Sequence, residues 1–312
     1  MPRLSAYWRL RKKKTLDRYL PTSLDNMNGR VLCLHGFAQN GPNFSAKASG
    51  IRKALKKFDI ETVFLNAPLQ LKGADLPFDS ASLGADSADS AEAPDFKGWW
   101  YTVDDFDIEP AFEAVRECCK EKGPFTGVLG FSQGAGLAAI LANKFSEIVP
   151  GHPGLKFGIF YSGFKVNNQK YWKYYEPKIS IPTLHIFGEL DTVVSEERSQ
   201  RLIDECCVPE TTLTLKHPGG HYVPNIKDLI NKEVSWVLNA LDLDPEEIKA
   251  NKNNKGKAQS VTGEKSKRQL KREQKAKQKE SGTSTPSKET EEDKTARELG
   301  ELNDEFDKIG KI

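Results

Sequence analysis

The 312-residue chain is short of several features, and each shortage rules something out. No stretch approaches the ~20 consecutive apolar residues of a membrane-spanning helix, so no such span is expected. The amino terminus has no apolar core of the secretory kind, so no signal peptide is expected. Cysteine is limited to Cys33, Cys118, Cys119, Cys206 and Cys207, in two adjacent pairs and a single. Neighbouring cysteines rarely bridge each other, and none here has metal-ligand spacing. The thiols read as reduced, in a cytosolic-type compartment, with no metal. Net charge is only +2, which argues against a polyanion binder when the chain is taken as a whole.

What remains is 38% hydrophobic, enough for one domain of about 200–250 residues with a core, plus extra segments. Residues 1–28 form a basic extension whose first sixteen residues hold no acid. A mitochondrial presequence is the alternative to a plain basic extension. The expected domain runs over 29–245, and a charged, largely disordered tail over 246–312. Residues 69–98 carry six acids, many Ala and Ser, and little periodicity, which predicts a long mobile acidic loop.

Within the domain, apolar strand-like runs alternate with helix-like ones. Strands are expected at 31–34, 60–65, 155–161, 182–187 and 211–215, and over the apolar run of Phe125, Val128 and Leu129 that leads into the Ser132 turn. Helices are expected at about 43–57, 108–121, 137–145, 195–206 and 223–240. This alternation predicts an α/β fold, a mostly parallel sheet of about six strands with helices on both faces. Functional residues in such sheets lie just past the carboxyl ends of the strands.

Gly130-Phe131-Ser132-Gln133-Gly134 stands between a strand and a helix, the context of a nucleophile elbow. The glycines leave room for a turn sharp enough to expose the serine hydroxyl. A serine hydroxyl is a weak nucleophile alone and needs a base, an acid to orient the base, and oxyanion donors. Of five histidines, His221 and His217 both follow the 211–215 strand. His221 is favoured because Gly219 and Gly220 let its loop swing back over the strand ends. His185 reads as packing, His152 lies at the wrong end of the sheet, and His35 reads as a brace. Glu189 and Asp191 compete for the acid, and Asp191 is favoured for its reach from the turn. The backbone N–H groups of Phe37 and Gln133 are the expected oxyanion donors. Ser162 reads as lining or as structural. Ser, then acid, then His is the order of the α/β-hydrolase arrangement. Trp99 and Trp100 fit equally a core or the wall of an apolar pocket.

These residues also sit in blocks: His35-Gly36-Phe37 with Asn40-Gly41, Leu65-Asn66-Ala67-Pro68, Trp99-Trp100, the elbow, Phe160 to Phe164, Gly188 with Asp191, and Gly219-Gly220-His221 with Val223-Pro224. Over about residues 29–241 the chain resembles the fungal and animal "family of serine hydrolases" (FSH-type), which includes the ovarian-cancer-associated hydrolase-like proteins. The resemblance implies an α/β-hydrolase lacking the usual first antiparallel strands. It implies a Ser132, Asp191, His221 triad and carboxylesterase or thioesterase activity, often on acyl chains of medium to long length. No metal or organic cofactor is then needed. Trp99, Trp100, Phe37 and Phe164 are expected to supply an apolar substrate pocket. The chain departs from the family at both ends and in the length of the 69–98 loop.

The tail separates its charges. Between Lys249 and Lys279 stand twelve Lys or Arg and two acids; between Glu280 and Asp307, ten acids and three bases. Such blocks suit an interaction tail. The basic segment 249–279 is a candidate for weak contact with an anionic partner, RNA or a lipid surface, and its basic cluster could act as a nuclear address. Leu299, Leu302, Phe306 and Ile309 fall on one stripe, which suggests a short helix over 295–310 that docks a protein partner. Two readings therefore compete with a cytoplasmic acyl-ester hydrolase. One is a lysophospholipase, which differs in substrate only. The other is a nucleic-acid-binding protein acting through its tail, and such a scaffold has no use for a hydroxyl, an imidazole and a carboxylate after three different strands.

Overall fold

The computed structural model describes residues 27–72, 75 and 95–250. The basic extension up to 26, most of the 69–98 segment, and the tail from 251 onward, with the helix expected over 295–310, lie outside the described residues. Six strands form one parallel sheet: β1 (Gly29–Leu34), β2 (Ile60–Leu65), β5 (Gly127–Phe131), β6 (Phe157–Tyr161), β7 (Thr183–Gly188) and β8 (Thr212–His217). Their order is β2-β1-β5-β6-β7-β8. This is the expected α/β architecture. The central strands β1, β5, β6 and β7 are buried along their whole length, whereas the edge strands β2 and β8 are not. Their near-continuous apolar sequences follow from being covered on both faces.

Alternation along each strand divides the core. Leu32, Leu34, Val128 and Phe160 face one layer, built by α3 (Glu109–Lys122), α4 (Gln133–Ile148) and α5 (Glu196–Cys206). Val31, Cys33, Leu129 and Ile159 face the other, built by α1 (Gly41–Lys47), α2 (Ser49–Lys56) and α6 (Lys227–Ala240). The period of two in a strand makes this division.

Three expectations on segment limits are corrected. The helix expected over 43–57 is two helices, interrupted at Ala48 with φ −88° and ψ 18°. The apolar stripe runs across the break because Phe44, Ala48, Ile51 and Leu55 all pack into one cluster. The 69–98 segment is not all loop, since Leu69–Gln70 (β3) pairs antiparallel with Lys97–Gly98 (β4). Packing also continues past 245: residues 245–250 are helical, and Ile248 is buried against the α6 layer.

One buried polar pair joins β6 to α6. Glu233 of α6 is fully buried, and the Tyr161 hydroxyl donates to its Oε2 at 2.6 Å, while Oε1 has no hydrogen-bond partner among the described residues. Burial pushes the Glu233 carboxyl up from 4.5 to about 8, against the lowering effect of the Tyr161 hydrogen bond. The unfolded chain releases this proton from about pH 4.5, whereas the folded protein holds it to about pH 8. This group's contribution to stability therefore falls as pH rises across that window. Glu233→Gln should raise Tm more at pH 8 than at pH 5, by several degrees. A Tm difference independent of pH would show that Glu233 does not titrate in this way.

Candidate active site

The carboxyl ends of β1, β5, β6 and β7 meet at one rim, and three of their following residues hold positive φ without being glycine: Ala38 (55°), Ser132 (53°) and Ser162 (46°). Such strain persists only where surrounding contacts impose it, and it gathers at functional sites. At Ser132, ψ is −118° and the N–H donates to the Tyr161 carbonyl at 2.9 Å. The elbow presses against its neighbours. A Cβ on Gly134 would lie 2.2 Å from the Leu34 oxygen, and one on Gly130 would lie 2.3 Å from the Gly134 oxygen. The two glycines are therefore steric requirements of the turn.

The three sequence-predicted side chains converge. The Ser132 hydroxyl and His221 Nε2 are 3.0 Å apart, and His221 Nδ1 lies 2.8 Å from Asp191 Oδ2. With Nδ1 donating to the carboxylate, Nε2 is left as an acceptor facing the hydroxyl. Asp191 is held from both sides. The amides of Val193 and Val194 donate to Oδ1 at 3.0 and 2.9 Å, and the Ser162 hydroxyl donates to Oδ2 at 2.8 Å. Burial opposes the charge of Asp191, but the hydrogen bonds from His221, Val194 and Ser162 outweigh it and hold its pKa below the ordinary value. The loop carrying His221 is bound to the acid turn, since the Leu190 N–H donates to the Gly219 carbonyl at 3.0 Å. The imidazole rests on the Phe131 ring, with centroids 4.8 Å apart.

The competing residues lie elsewhere. Glu189 is exposed. His217 is the last residue of β8, buried, and its Nδ1 accepts from the Gly219 N–H at 3.2 Å. His185 is buried mid-strand, and burial pushes its pKa down to about 3. The His152 ring accepts the Phe125 N–H at 2.8 Å, just before β5 and so at the opposite end of the sheet. His35 is a brace: Nδ1–H donates to the Gly36 carbonyl at 2.7 Å, and Nε2 accepts the Ala67 N–H at 3.0 Å. Burial pushes its pKa down to about 4, so it bridges the loops after β1 and β2 as a neutral ring.

Among the described residues, the backbone N–H groups of Phe37 and Gln133 have no hydrogen-bond partner. Gln133 is the first residue of α4, where an N–H has no intrahelical acceptor and the helix dipole is positive. Both amides flank Ser132 in sequence or in space, because both residues line the same cavity as Ser132 and His221. That cavity has a volume of about 590 Å³. Trp100, Phe106, Phe164 and Val166 supply apolar wall. Trp99 does not line it. Its side chain is fully buried, its Nε1–H donates to the His35 carbonyl at 2.8 Å, and its ring lies against His35. The expectation that Trp99 lines the pocket is corrected: of the two tryptophans, only Trp100 does.

Two contributions rest on partners that spacing in the sequence does not reveal. The Gln133 side chain accepts the Trp99 N–H at 2.9 Å and donates to the Trp100 carbonyl at 2.8 Å, which fastens the pocket wall to the elbow. Ser162 supports the acid. Its place after β6 matched a strand-end rule, but its partner could not be read from spacing. Among the described residues, no group of three or more His, Cys, Asp or Glu is arranged to hold a metal ion.

A six-stranded parallel sheet with an elbow serine, an imidazole and a buried carboxylate at its strand ends is an α/β-hydrolase. The chain belongs to the serine hydrolase (FSH1) family, whose profile matches residues 25–233. It is 39% identical over 221 residues to the Saccharomyces cerevisiae protein "Family of serine hydrolases 3", covering 67% of this chain and 83% of that one. It is 35% identical over 216 residues to the Danio rerio protein "Esterase OVCA2", covering 62% and 90%. Among solved structures, a Zea mays acyl-protein thioesterase 2 aligns at 19% identity with a TM-score of 0.46, over 71% of this chain and 96% of that one.

Ser162→Ala removes one donor from the buried carboxylate and leaves the other three. A hydrogen bond to a charged group contributes about 1.5–3 kcal/mol, so kcat should fall about tenfold or more with KM little changed. An unchanged kcat would show that the contact has no bearing on turnover.

Proposed function

We propose that the protein hydrolyses carboxylic esters or thioesters with an apolar acyl group, by a Ser132, His221, Asp191 triad and an acyl-enzyme. The observation that carries this reading is the unbroken chain from the Ser132 hydroxyl through His221 to Asp191, at 3.0 and 2.8 Å. Ser132 Oγ attacks the carbonyl carbon while His221 Nε2 takes its proton. Asp191 fixes the tautomer and stabilises the imidazolium without taking the proton itself. The carbonyl oxygen becomes an oxyanion, which the N–H groups of Phe37 and Gln133 receive. His221 then gives its proton to the leaving alkoxide or thiolate. In the second half, the same imidazole takes a proton from water as its oxygen attacks the acyl carbonyl, then returns that proton to Ser132 Oγ as the C–Oγ bond breaks and the acid leaves. The names of the relatives, serine hydrolases and an esterase, agree with this class of reaction.

The apolar wall of Trp100, Phe106, Phe164 and Val166 supports an acyl-chain preference. Burial of one methylene contributes about 0.8 kcal/mol, or about a fourfold gain in kcat/KM per carbon until the cavity is full. A series of 4-nitrophenyl esters from two to sixteen carbons, run beside matched thioesters, tests both parts. His221→Ala and Asp191→Asn should each lower kcat by more than about a thousandfold. The wild-type rate should climb with chain length and then level. A flat profile would remove the acyl pocket, and full activity of His221→Ala would remove the triad.

A further inference from the structure

The cavity at Ser132 is largely apolar, yet two cations, Lys47 and Arg198, also line it, with one carboxylate, Asp104. Arg198 is half-buried and held in place. Its guanidinium carbon lies 4.6 Å from the centre of the Phe164 ring, and Nη1 donates to the Val193 carbonyl at 3.2 Å. Its backbone N–H is capped by the Ser195 hydroxyl at the start of α5. A guanidinium has five N–H donors in a planar fork, and Nη1 to Val193 is its one hydrogen bond among the described residues.

Among the described residues, no acid pairs with this cation. Asp191 acts on it through space, but both oxygens of that carboxylate are already taken by Val193, Val194, Ser162 and His221. Burial pushes the Arg198 pKa below its ordinary value in spite of the field from Asp191. A guanidinium remains charged regardless. A partly desolvated cation with unused donors is costly against an apolar wall, and becomes favourable when an anion fills the fork.

We infer that Arg198 is a substrate-recognition residue that binds a carboxylate or phosphate carried by the ester or thioester whose carbonyl sits at Ser132. This rests on the proposed hydrolase reaction and adds its substrate class: acyl compounds with an apolar chain and an anionic group. Lys47 belongs to α1, after β1, whereas Arg198 follows β7, so the two lie on opposite sides of the β5 elbow in the sheet order. A substrate crossing Ser132 can therefore carry its anion on the acyl side or on the leaving-group side. The guanidinium, held by the Phe164 ring and the Val193 carbonyl, is the ordered seat for that anion.

Two substrate pairs separate these cases. On the acyl side, 4-nitrophenyl pentanoate is compared with the 4-nitrophenyl monoester of glutaric acid. On the leaving-group side, the butyryl thioester of N-acetylcysteamine is compared with butyryl-coenzyme A, which bears phosphates. In at least one pair the anionic member should have a kcat/KM about ten- to a hundredfold higher, expressed mainly in KM and weakened by salt. Arg198→Gln should bring that ratio near unity, and Arg198→Lys should restore part of it. Equal or slower cleavage of both anionic members by the wild type overturns the inference and leaves the hydrolase reading intact. A preference unchanged in Arg198→Gln overturns it as well. If Arg198→Gln does not fold, a preference unaffected by salt and by Arg198→Lys has the same force. Cleavage of none of the four compounds would bring down the hydrolase reading and this inference with it.

Discussion

The site depends on one close approach of backbone to backbone. Gly134 lies so near the carbonyls of Leu34 and His35 that a single methyl group would not fit, and Ser132 is forced to positive φ beside it. This contact locks the end of β1 to the start of α4. It brings the Phe37 and Gln133 amides to one cavity and turns the Ser132 hydroxyl toward His221. The strain is sustained by a hydrogen-bonded shell: His35 to Gly36 and Ala67, Trp99 to the His35 carbonyl, and Gln133 to the backbone of Trp99 and Trp100. Each member is buried, so these bonds operate where unmade ones are most costly.

The opposite half of the site is organised by Asp191. Four donors converge on a carboxylate with no exposed side-chain surface. Two are backbone amides of the next turn, one is Ser162 from the neighbouring strand end, and the last is the imidazole. The carboxylate thus stays ionised although buried, and it fixes the proton on His221 Nδ1. Arg198 stands just outside this cluster, close enough to feel its charge, and among the described residues only Nη1 of its fork is engaged, by the Val193 carbonyl. The contrast between a saturated anion and an unsaturated cation gives the cavity its polarity.

Much of this was legible in the sequence because it is encoded locally. Buried strands read as apolar runs, the elbow reads as Gly-x-Ser-x-Gly, and Ser132, Asp191 and His221 each fall just after a strand. The β2 strand at Ile60–Leu65 was expected at its observed limits. What escaped was non-local. The break at Ala48 is hidden because both helices continue one apolar stripe. Trp99 and Trp100 are adjacent and alike in sequence, yet one ring turns into the core against His35 and the other into the cavity. The roles of Gln133, Ser162 and Arg198 come from partners far apart along the chain, which spacing does not reveal. Ile248 lies beyond a change in composition but still finds apolar neighbours.

The central claim is that the Ser132 hydroxyl is made nucleophilic by His221 and Asp191. The most direct measurement is covalent labelling with a fluorophosphonate, followed by mass spectrometry of the digested protein. The account predicts one adduct, on the peptide containing Ser132, absent in Ser132→Ala and strongly slowed in His221→Ala. Labelling that persists in Ser132→Ala, or an adduct on another residue, would contradict it.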